Sequence, residues 1–105
     1  MKNNYSIEAK FFRGLSDATR FSVIKILVTG EKMVGEIVHE TQQSQSNVSN
    51  HLKCLLDCGL VESRREGKNV FYSIRDPKTK DLLELSHQVI SKVASDITAC
   101  LRYKE

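Results

Sequence analysis

Two of the three cysteines in the chain, Cys54 and Cys58, are four residues apart in a segment of helical periodicity. Side chains at this spacing lie about 6 Å apart on one face of a helix, so both sulfurs can approach one metal ion. Thiolates select soft ions, so we expect Cd(II) or Pb(II), and Zn(II) where an oxygen or nitrogen completes the coordination. Two sulfurs do not complete a site, and Cys100 is the candidate for a third, from the same chain or from a partner subunit. The alternative for all three is burial, because cysteine often packs as a small hydrophobic residue.

The segment that carries the thiol pair is also rich in small polar side chains. Hydroxyls and side-chain amides can pair with base edges in the major groove of DNA, and short side chains let the helix backbone approach closely. The residues predicted to contact bases are Gln45, Ser46, Ser49 and Asn50. Basic residues on this helix and further along the chain suit phosphates, which supply most of the salt-dependent affinity. The residues predicted to contact phosphates are His51, Lys53, Arg64, Arg65 and Lys68. The alternative for each of these predicted contacts is a polar side chain that is exposed to solvent and binds nothing.

The spacing of apolar residues predicts four helices between Ile7 and Cys58. A polar turn at Gln42 and Gln43 separates the third helix from the fourth, and Gly59 is expected to end the fourth in a left-handed conformation. The predicted helices begin near Ile7, after a cap at Ser16 or Asp17, at Val34 and after the cap Ser44. The third and fourth helices and the tight turn between them form a helix-turn-helix.

Two β-prone segments, Val61 to Glu66 and Asn69 to Arg75, flank a tip in which Gly67 permits a hairpin turn. Asp76 as cap and Pro77 at the first helical position then begin a final helix. The predicted fold is therefore mainly α with a two-stranded β-hairpin. This order of elements is that of a winged helix-turn-helix, in which the helix after the turn enters the major groove and the hairpin reaches nearby phosphates.

The final helix carries more apolar surface than one short helix should expose to water. Its heptad-like seam consists of Leu83, Ser86, Ile90, Val93, Ile97 and Cys100. A second subunit is the natural cover for this surface, so we expect a homodimer.

Length and composition limit the remaining alternatives. The 105 residues, 40% of them apolar, predict a single domain over 1–105. The formal charge of +3 is compatible with a nucleic acid partner but is weak evidence for one. No signal peptide or membrane-spanning run is evident, so a cytoplasmic protein with no membrane partner is expected, with reduced thiols. We expect neither an enzyme nor a small organic substrate, because no paired carboxylates, nucleophile with an adjacent base, or phosphate-binding loop is present.

Four motifs together resemble the ArsR/SmtB family of metal-responsive winged-helix repressors over roughly residues 7 to 100. They are Leu15 to Arg20, Gln45 to Leu52, Cys58 to Val61 and Arg65 to Lys68. The resemblance implies a homodimer built on the first and last helices. It also implies that the metal-free dimer binds operator DNA and that metal binding releases it.

Within the family, the arrangement is similar to that of CmtR-type cadmium and lead sensors, which carry two cysteines in the recognition helix and one near the C-terminus. This similarity implies Cys54, Cys58 and Cys100 as metal ligands. The segment from Lys32 to Glu36 lacks the cysteine motif that other members carry there, and His87 has no second histidine to match the zinc sensors. One alternative is a redox- or arsenite-responsive repressor of the same fold. An alternative of a different class is a thiol-rich metal buffer or chaperone, in which the helix predicted to contact DNA has no DNA-binding role.

Overall fold

We describe the chain from a computed structural model, which covers the backbone of residues 5–104 and the side chains of residues 5–97. The structure contains five helices and three strands within these limits. In chain order they are α1 (Ser6–Leu15), α2 (Ala18–Val28), β1 (Lys32–Met33), α3 (Val34–Thr41), α4 (Gln45–Asp57), β2 (Val61–Glu66), β3 (Asn69–Ile74) and α5 (Lys78–Lys104). The helix order and the hairpin confirm the predicted winged helix-turn-helix.

Local signals begin and end the helices as the sequence predicted. The Asp17 carboxylate accepts a hydrogen bond from the Arg20 amide at the start of α2, and the Ser44 hydroxyl accepts one from the Asn47 amide at the start of α4. Gly59 follows α4 with a φ of 77°, which glycine adopts without steric cost. The turn between α3 and α4 places Gln42 in the left-handed region, with a φ of 59°. Side chains of this size adopt that conformation infrequently, so the turn is held by its surroundings.

The predicted two-stranded hairpin is present as β2 and β3, and a third short strand, β1, which the sequence did not predict, extends it to a three-stranded sheet. The strand order is β1-β3-β2 and both pairings are antiparallel. On β1, Met33 pairs with Phe71 of β3, and Phe71 pairs in turn with Arg64 of β2. A strand of two residues is too short to show the alternation by which a strand is recognised in a sequence. The added strand ties the base of the hairpin to the segment that follows α2.

The core lies where α2, α3 and α4 meet the base of the sheet. Its fully buried side chains come from each of these elements, and burial of such apolar surface is the main stabilising contribution to the fold. The buried apolar residues are Val23, Ile24, Leu27, Ile37, Val48, Leu52, Leu55, Leu60, Val61 and Leu83. The core therefore fixes α4 from one side and leaves its other side at the surface.

Helices α1 and α5 expose apolar side chains that this core does not cover. They include Ile7 and Phe12 on α1 and Leu85, Val89, Ile90, Val93 and Ile97 on α5. The exposure of Ile90, Val93 and Ile97 agrees with the apolar seam predicted for the last helix, whereas Leu83 of that seam is buried in the core. No helix within the described part of the chain has the length and apolar character needed to cross a membrane.

Candidate nucleic-acid interface and thiol pair

Helix α4 has one buried face and one exposed face. Val48, Leu52 and Leu55 are at most 1% exposed and anchor the helix in the core. The opposite face carries only polar and basic side chains, which are exposed. Its residues are Gln45, Ser46, Ser49, Asn50 and Lys53. The structure thus brings together all four predicted base contacts and one predicted phosphate contact on a single accessible surface, which we call the reading face.

The start of the reading face is ordered by hydrogen bonds between polar side chains. Besides the cap that Ser44 provides to the Asn47 backbone, the side-chain amide of Asn47 donates a hydrogen bond to the side-chain oxygen of Gln43 over 2.8 Å. The hydroxyls of Ser44 and Ser46 lie 3.3 Å apart. These contacts fix the first turn of α4, from which Gln45 and Ser46 project.

His51 does not belong to the reading face, although the sequence grouped it with the phosphate contacts. Its side chain is 18% exposed, and its Nε2 lies 3.7 Å from the carboxylate of Asp17. Its Nδ1 lies 3.5 Å from the Arg20 guanidinium. His51 follows Val48 by three residues, so it lies beside the buried face of the helix. We therefore revise its role to an internal contact between α4 and the start of α2.

Arg20 connects this histidine to the end of α1. Its guanidinium donates to the carbonyl oxygens of Gly14 and Arg13, both over 3.0 Å. The residues from Arg13 to Arg20 comprise the end of α1, the two connecting residues and the start of α2, and we call this segment the α1–α2 corner. One side chain of this corner thus contacts both α1 and the recognition helix. No local sequence pattern indicates this contact, because Arg20 and His51 are 31 residues apart.

The two thiols lie on the same flank of α4 as His51. Cys54 and Cys58 are both partly buried and neither forms a disulfide. Burial raises the pKa of the Cys58 thiol, and the adjacent Cys54 raises it further, while the charges of Lys10 and Arg20 oppose these effects. Cys58 also packs closely against α1, since a Cβ added at Gly14 would lie 3.2 Å from its Sγ. Cys58 therefore contacts the α1–α2 corner as well.

The donor set suits a soft ion but supplies only two sulfurs. Among the residues whose side chains are described, no three His, Cys, Asp or Glu side chains are close enough to hold one metal ion. The side chain of Cys100 lies outside the described residues. His39 and His87 are exposed. A third ligand of these four residue types would come from beyond this part of the chain or from another subunit.

The hairpin presents its predicted phosphate contacts unequally. Arg65 and Lys68 are exposed. Arg64 instead forms ion pairs with the carboxylates of Glu31, at 2.7 Å, and Glu66, at 3.1 Å. Sequence reasoning missed Glu31, which is 33 residues from Arg64. The placement of Arg64 therefore argues against a direct phosphate contact.

Comparison with known proteins identifies the family. The model described as "Bacterial regulatory protein, arsR family" matches residues 17–63. The chain is 40% identical over 94 residues to the "Probable mercury resistance operon repressor" of Streptomyces lividans, covering 90% of this chain and 75% of that protein. This chain belongs to the ArsR family. The regulator CmtR of Mycobacterium tuberculosis is 36% identical over 88 residues, covering 84% of this chain and 75% of that protein.

Solved structures of similar regulators share the fold of this ArsR-family protein. The crystal structure of Mycobacterium tuberculosis Rv0081 superposes with a TM-score of 0.83 at 32% identity, over 91% of this chain and 97% of that one. The homodimeric winged helix-turn-helix domain of Mb0332 from Mycobacterium bovis gives a TM-score of 0.79 at 25% identity, over 90% of this chain and 93% of that one. These relatives are regulators, which supports the prediction of a transcriptional regulator over an enzyme.

The family match runs from the cap of α2 to the third residue of β2 in this ArsR-family protein. It contains the helix-turn-helix, the reading face and both thiols of α4. It excludes β3 and the whole of α1 and α5, the two helices that carry the exposed apolar surface. The matched segment is therefore the part that would read DNA.

Proposed function

We propose that this ArsR-family protein is a metal-responsive transcriptional repressor. It binds operator DNA as a metal-free homodimer and releases the DNA when a soft ion, Cd(II) or Pb(II), binds thiolates of Cys54, Cys58 and Cys100. Zn(II) is a weaker candidate that needs an oxygen or nitrogen ligand in addition. The observation that carries the proposal is the position of two reduced thiols on the same helix as the reading face.

The DNA-binding part of the proposal rests on the geometry of α4 and the hairpin. The reading face is accessible, its helix follows a tight turn, and the exposed Arg65 and Lys68 lie on the hairpin beside it. In winged helix-turn-helix proteins, the helix after the turn enters the major groove. We assign base contacts to Gln45, Ser46, Ser49 and Asn50, and phosphate contacts to Lys53, Arg65 and Lys68.

The homodimer rests on the apolar side chains of α1 and α5. Seven large apolar side chains of these helices are at least 45% exposed, and so is Tyr5, the residue before α1. Exposed apolar side chains in this number mark an interface with another protein chain. The homodimeric domain from Mycobacterium bovis supports a second copy as the partner.

The coupling between thiols and DNA rests on the α1–α2 corner. Cys58 contacts Gly14, while His51 contacts Arg20 and Asp17, so both lie against the corner from the same helix. A change in the position of the thiols would therefore shift α4 against α1, and α1 belongs to the proposed dimer interface. The spacing of the two reading faces would then no longer match the DNA. Couplings of about 1 to 3 kcal/mol are usual and change affinity by about 5- to 150-fold.

The test combines metal and DNA titrations of the full-length protein. Cd(II) is added while the thiolate-to-metal absorption in the ultraviolet and the anisotropy of labelled operator DNA are recorded. We expect the wild-type protein to lose DNA as the absorption grows, and Cys54→Ser and Cys58→Ser to keep DNA at all Cd(II) concentrations. Ser22→Cys, which adds an exposed thiol on α2 outside the reading face and the thiol pair, controls for nonspecific thiolate binding.

Two results would contradict the proposal. Full metal-driven release of DNA by both serine variants would exclude these ligands. Equal Cd(II) affinities with and without DNA would exclude the coupling, because linkage between two binding sites is reciprocal. The Cys100→Ser variant decides separately whether the third thiol takes part.

Hg(II) is a second candidate ion, favoured by the name of the Streptomyces lividans relative. A pair of thiolates one helical turn apart also suits this ion, which needs few ligands. The redox or arsenite alternative predicts DNA release by an oxidant or As(III) without a metal dication. The metal buffer alternative predicts that metal-free protein binds no operator, which a gel shift decides.

A further inference from the structure

The guanidinium group of Arg64 uses all of its donor nitrogens within the protein. Its Nε and Nη2 donate to the two carboxylate oxygens of Glu31 over 2.7 and 2.8 Å, which is a bidentate arrangement. Its Nη1 donates to Glu66 over 3.1 Å. Its Cζ also lies 4.5 Å from the centre of the Phe71 ring, a distance at which the ring attracts the cation.

These contacts run across the whole sheet on one face. Arg64 lies on β2, directly opposite Phe71 on β3, and Phe71 lies opposite Met33 on β1. Glu31 precedes Met33 by two residues, a spacing that keeps side chains on one face of an extended chain. Arg64 therefore passes over the central strand and holds the segment that joins α2 to β1. The outer strand of the hairpin is tied to the core through this side chain.

The local charge makes Arg64 a poor partner for a phosphate. One guanidinium faces two carboxylates, so the cluster carries a net negative charge at neutral pH. A phosphate that approached Arg64 would meet two carboxylates already paired with its guanidinium, and their negative charge opposes its binding. Arg65, the next residue, faces the opposite side of the strand and pairs with Val70 in the ladder. Two adjacent arginines of one strand thus have different surroundings.

We propose that the Arg64–Glu31 pair is a strut that sets the angle of the hairpin relative to α4, and that Arg64 is a positioning residue for DNA binding. The proposal deepens the proposed function and rests on its DNA-binding part. The strut orients Arg65 and Lys68 toward the phosphates beside the groove that the reading face enters.

The strut and a phosphate contact predict opposite effects of removing Glu31. If Arg64 is a strut, Glu31→Gln and Arg64→Gln both weaken DNA binding, because each removes the same link. If Arg64 contacts a phosphate, Glu31→Gln frees the guanidinium and strengthens binding, while Arg64→Gln weakens it. Glu62→Gln is the matched control, since it removes one carboxylate from β2, the strand of Arg64, and leaves the Arg64–Glu31 pair intact.

The experiment measures the affinity of metal-free protein for a duplex that the wild type selects from a random-sequence pool, over a range of salt concentrations. We expect Arg64→Gln and Glu31→Gln each to lose affinity by about 2- to 5-fold, as for removal of an exposed ion pair, and the double variant to lose no more than Arg64→Gln alone. The slope of log affinity against log salt should stay at the wild-type value in all three. Arg65→Gln should reduce the slope by about 0.9, as expected for one lost phosphate contact.

A reduced slope for Arg64→Gln, or tighter binding by Glu31→Gln than by Glu62→Gln, would overturn the strut. Amide hydrogen exchange of β2 and β3 in the DNA-free protein provides a second readout. Both strut variants should speed exchange in these strands, and Glu62→Gln and Arg65→Gln should not. If the wild type selects no duplex, the proposed function fails, and unchanged exchange in the strut variants then overturns the strut independently.

Discussion

The recognition helix and the hairpin are held in place by different physical forces. Helix α4 is anchored by three apolar side chains that are almost completely buried, Val48, Leu52 and Leu55. The hairpin extends from the core with most of β2 exposed, and charged contacts of Arg64 connect it to the segment after α2. Burial of apolar surface depends little on salt or on pH, whereas exposed ion pairs depend on both. The orientation of the helix should therefore be constant under conditions that change the orientation of the hairpin.

The largest effect is expected from removing an anchor of α4. Leu52→Ala should lower the free energy of unfolding by about 2 to 5 kcal/mol, because a buried leucine leaves a cavity. Urea unfolding at a fixed protein concentration measures the change. Lys53→Ala, one residue later on the reading face, should change stability by less than about 0.5 kcal/mol. Equal losses in the two variants would contradict the division of α4 into a buried and an exposed face.

A pair of glycine substitutions tests the contact between the thiol site and α1. Gly35→Ala should stabilise the protein by up to about 1 kcal/mol, since alanine favours a helix and nothing lies near the added Cβ. A Cβ at Gly14 would lie 2.8 Å from Leu60 Cδ1 and 3.2 Å from Cys58 Sγ. Gly14→Ala should therefore be less stable than Gly35→Ala by about 1 to 3 kcal/mol, the usual cost of overpacking. Thermal or urea unfolding compares them, and equal gains would show that Cys58 is not packed against α1.

Two substitutions at the first turn of α4 distinguish a residue that stabilises the helix from one that contacts DNA. Ser44→Ala should cost about 1 kcal/mol of stability because it removes the cap of the helix. Ser46→Ala, on the reading face, should leave stability within about 0.5 kcal/mol of the wild type while lowering affinity for the selected duplex. Unfolding and DNA titration of both variants check the contrast. A loss of affinity in neither variant would exclude the first turn from the interface.

The smallest effect is expected on the hairpin at acidic pH. The hydrogen bonds from Arg64 hold the pKa of Glu31 below its ordinary value of 4.5. A carboxylate with a lowered pKa stabilises the folded state at neutral pH, and this contribution is lost as the pH falls through the lowered pKa. NMR signals of the Phe71 ring should therefore shift below pH 4.5, and the Glu31→Gln variant should lack that transition. A midpoint at or above 4.5 in the wild type would contradict the ion pair.

Much of the fold could be predicted because its signals are local. Ser44, Gly59 and the apolar spacing of α4 lie within one segment of the chain, and together they specify where the helix begins, where it ends and which face is buried. The hairpin was predictable for the same reason, from two β-prone segments around Gly67. The two-residue strand β1 was not predictable, since its formation depends on pairing with β3, which is distant in the sequence.

The sequence by itself determined the polar and apolar faces of α4 and the spacing of Cys54 and Cys58, because side-chain periodicity follows from helix geometry alone. Only the tertiary structure decided the roles of three side chains that the sequence could not distinguish from their neighbours. His51 turns toward Arg20, Arg64 pairs with Glu31, and Cys58 packs against Gly14. Each of these contacts joins residues that are distant along the chain, so the fold must form before the partner is defined.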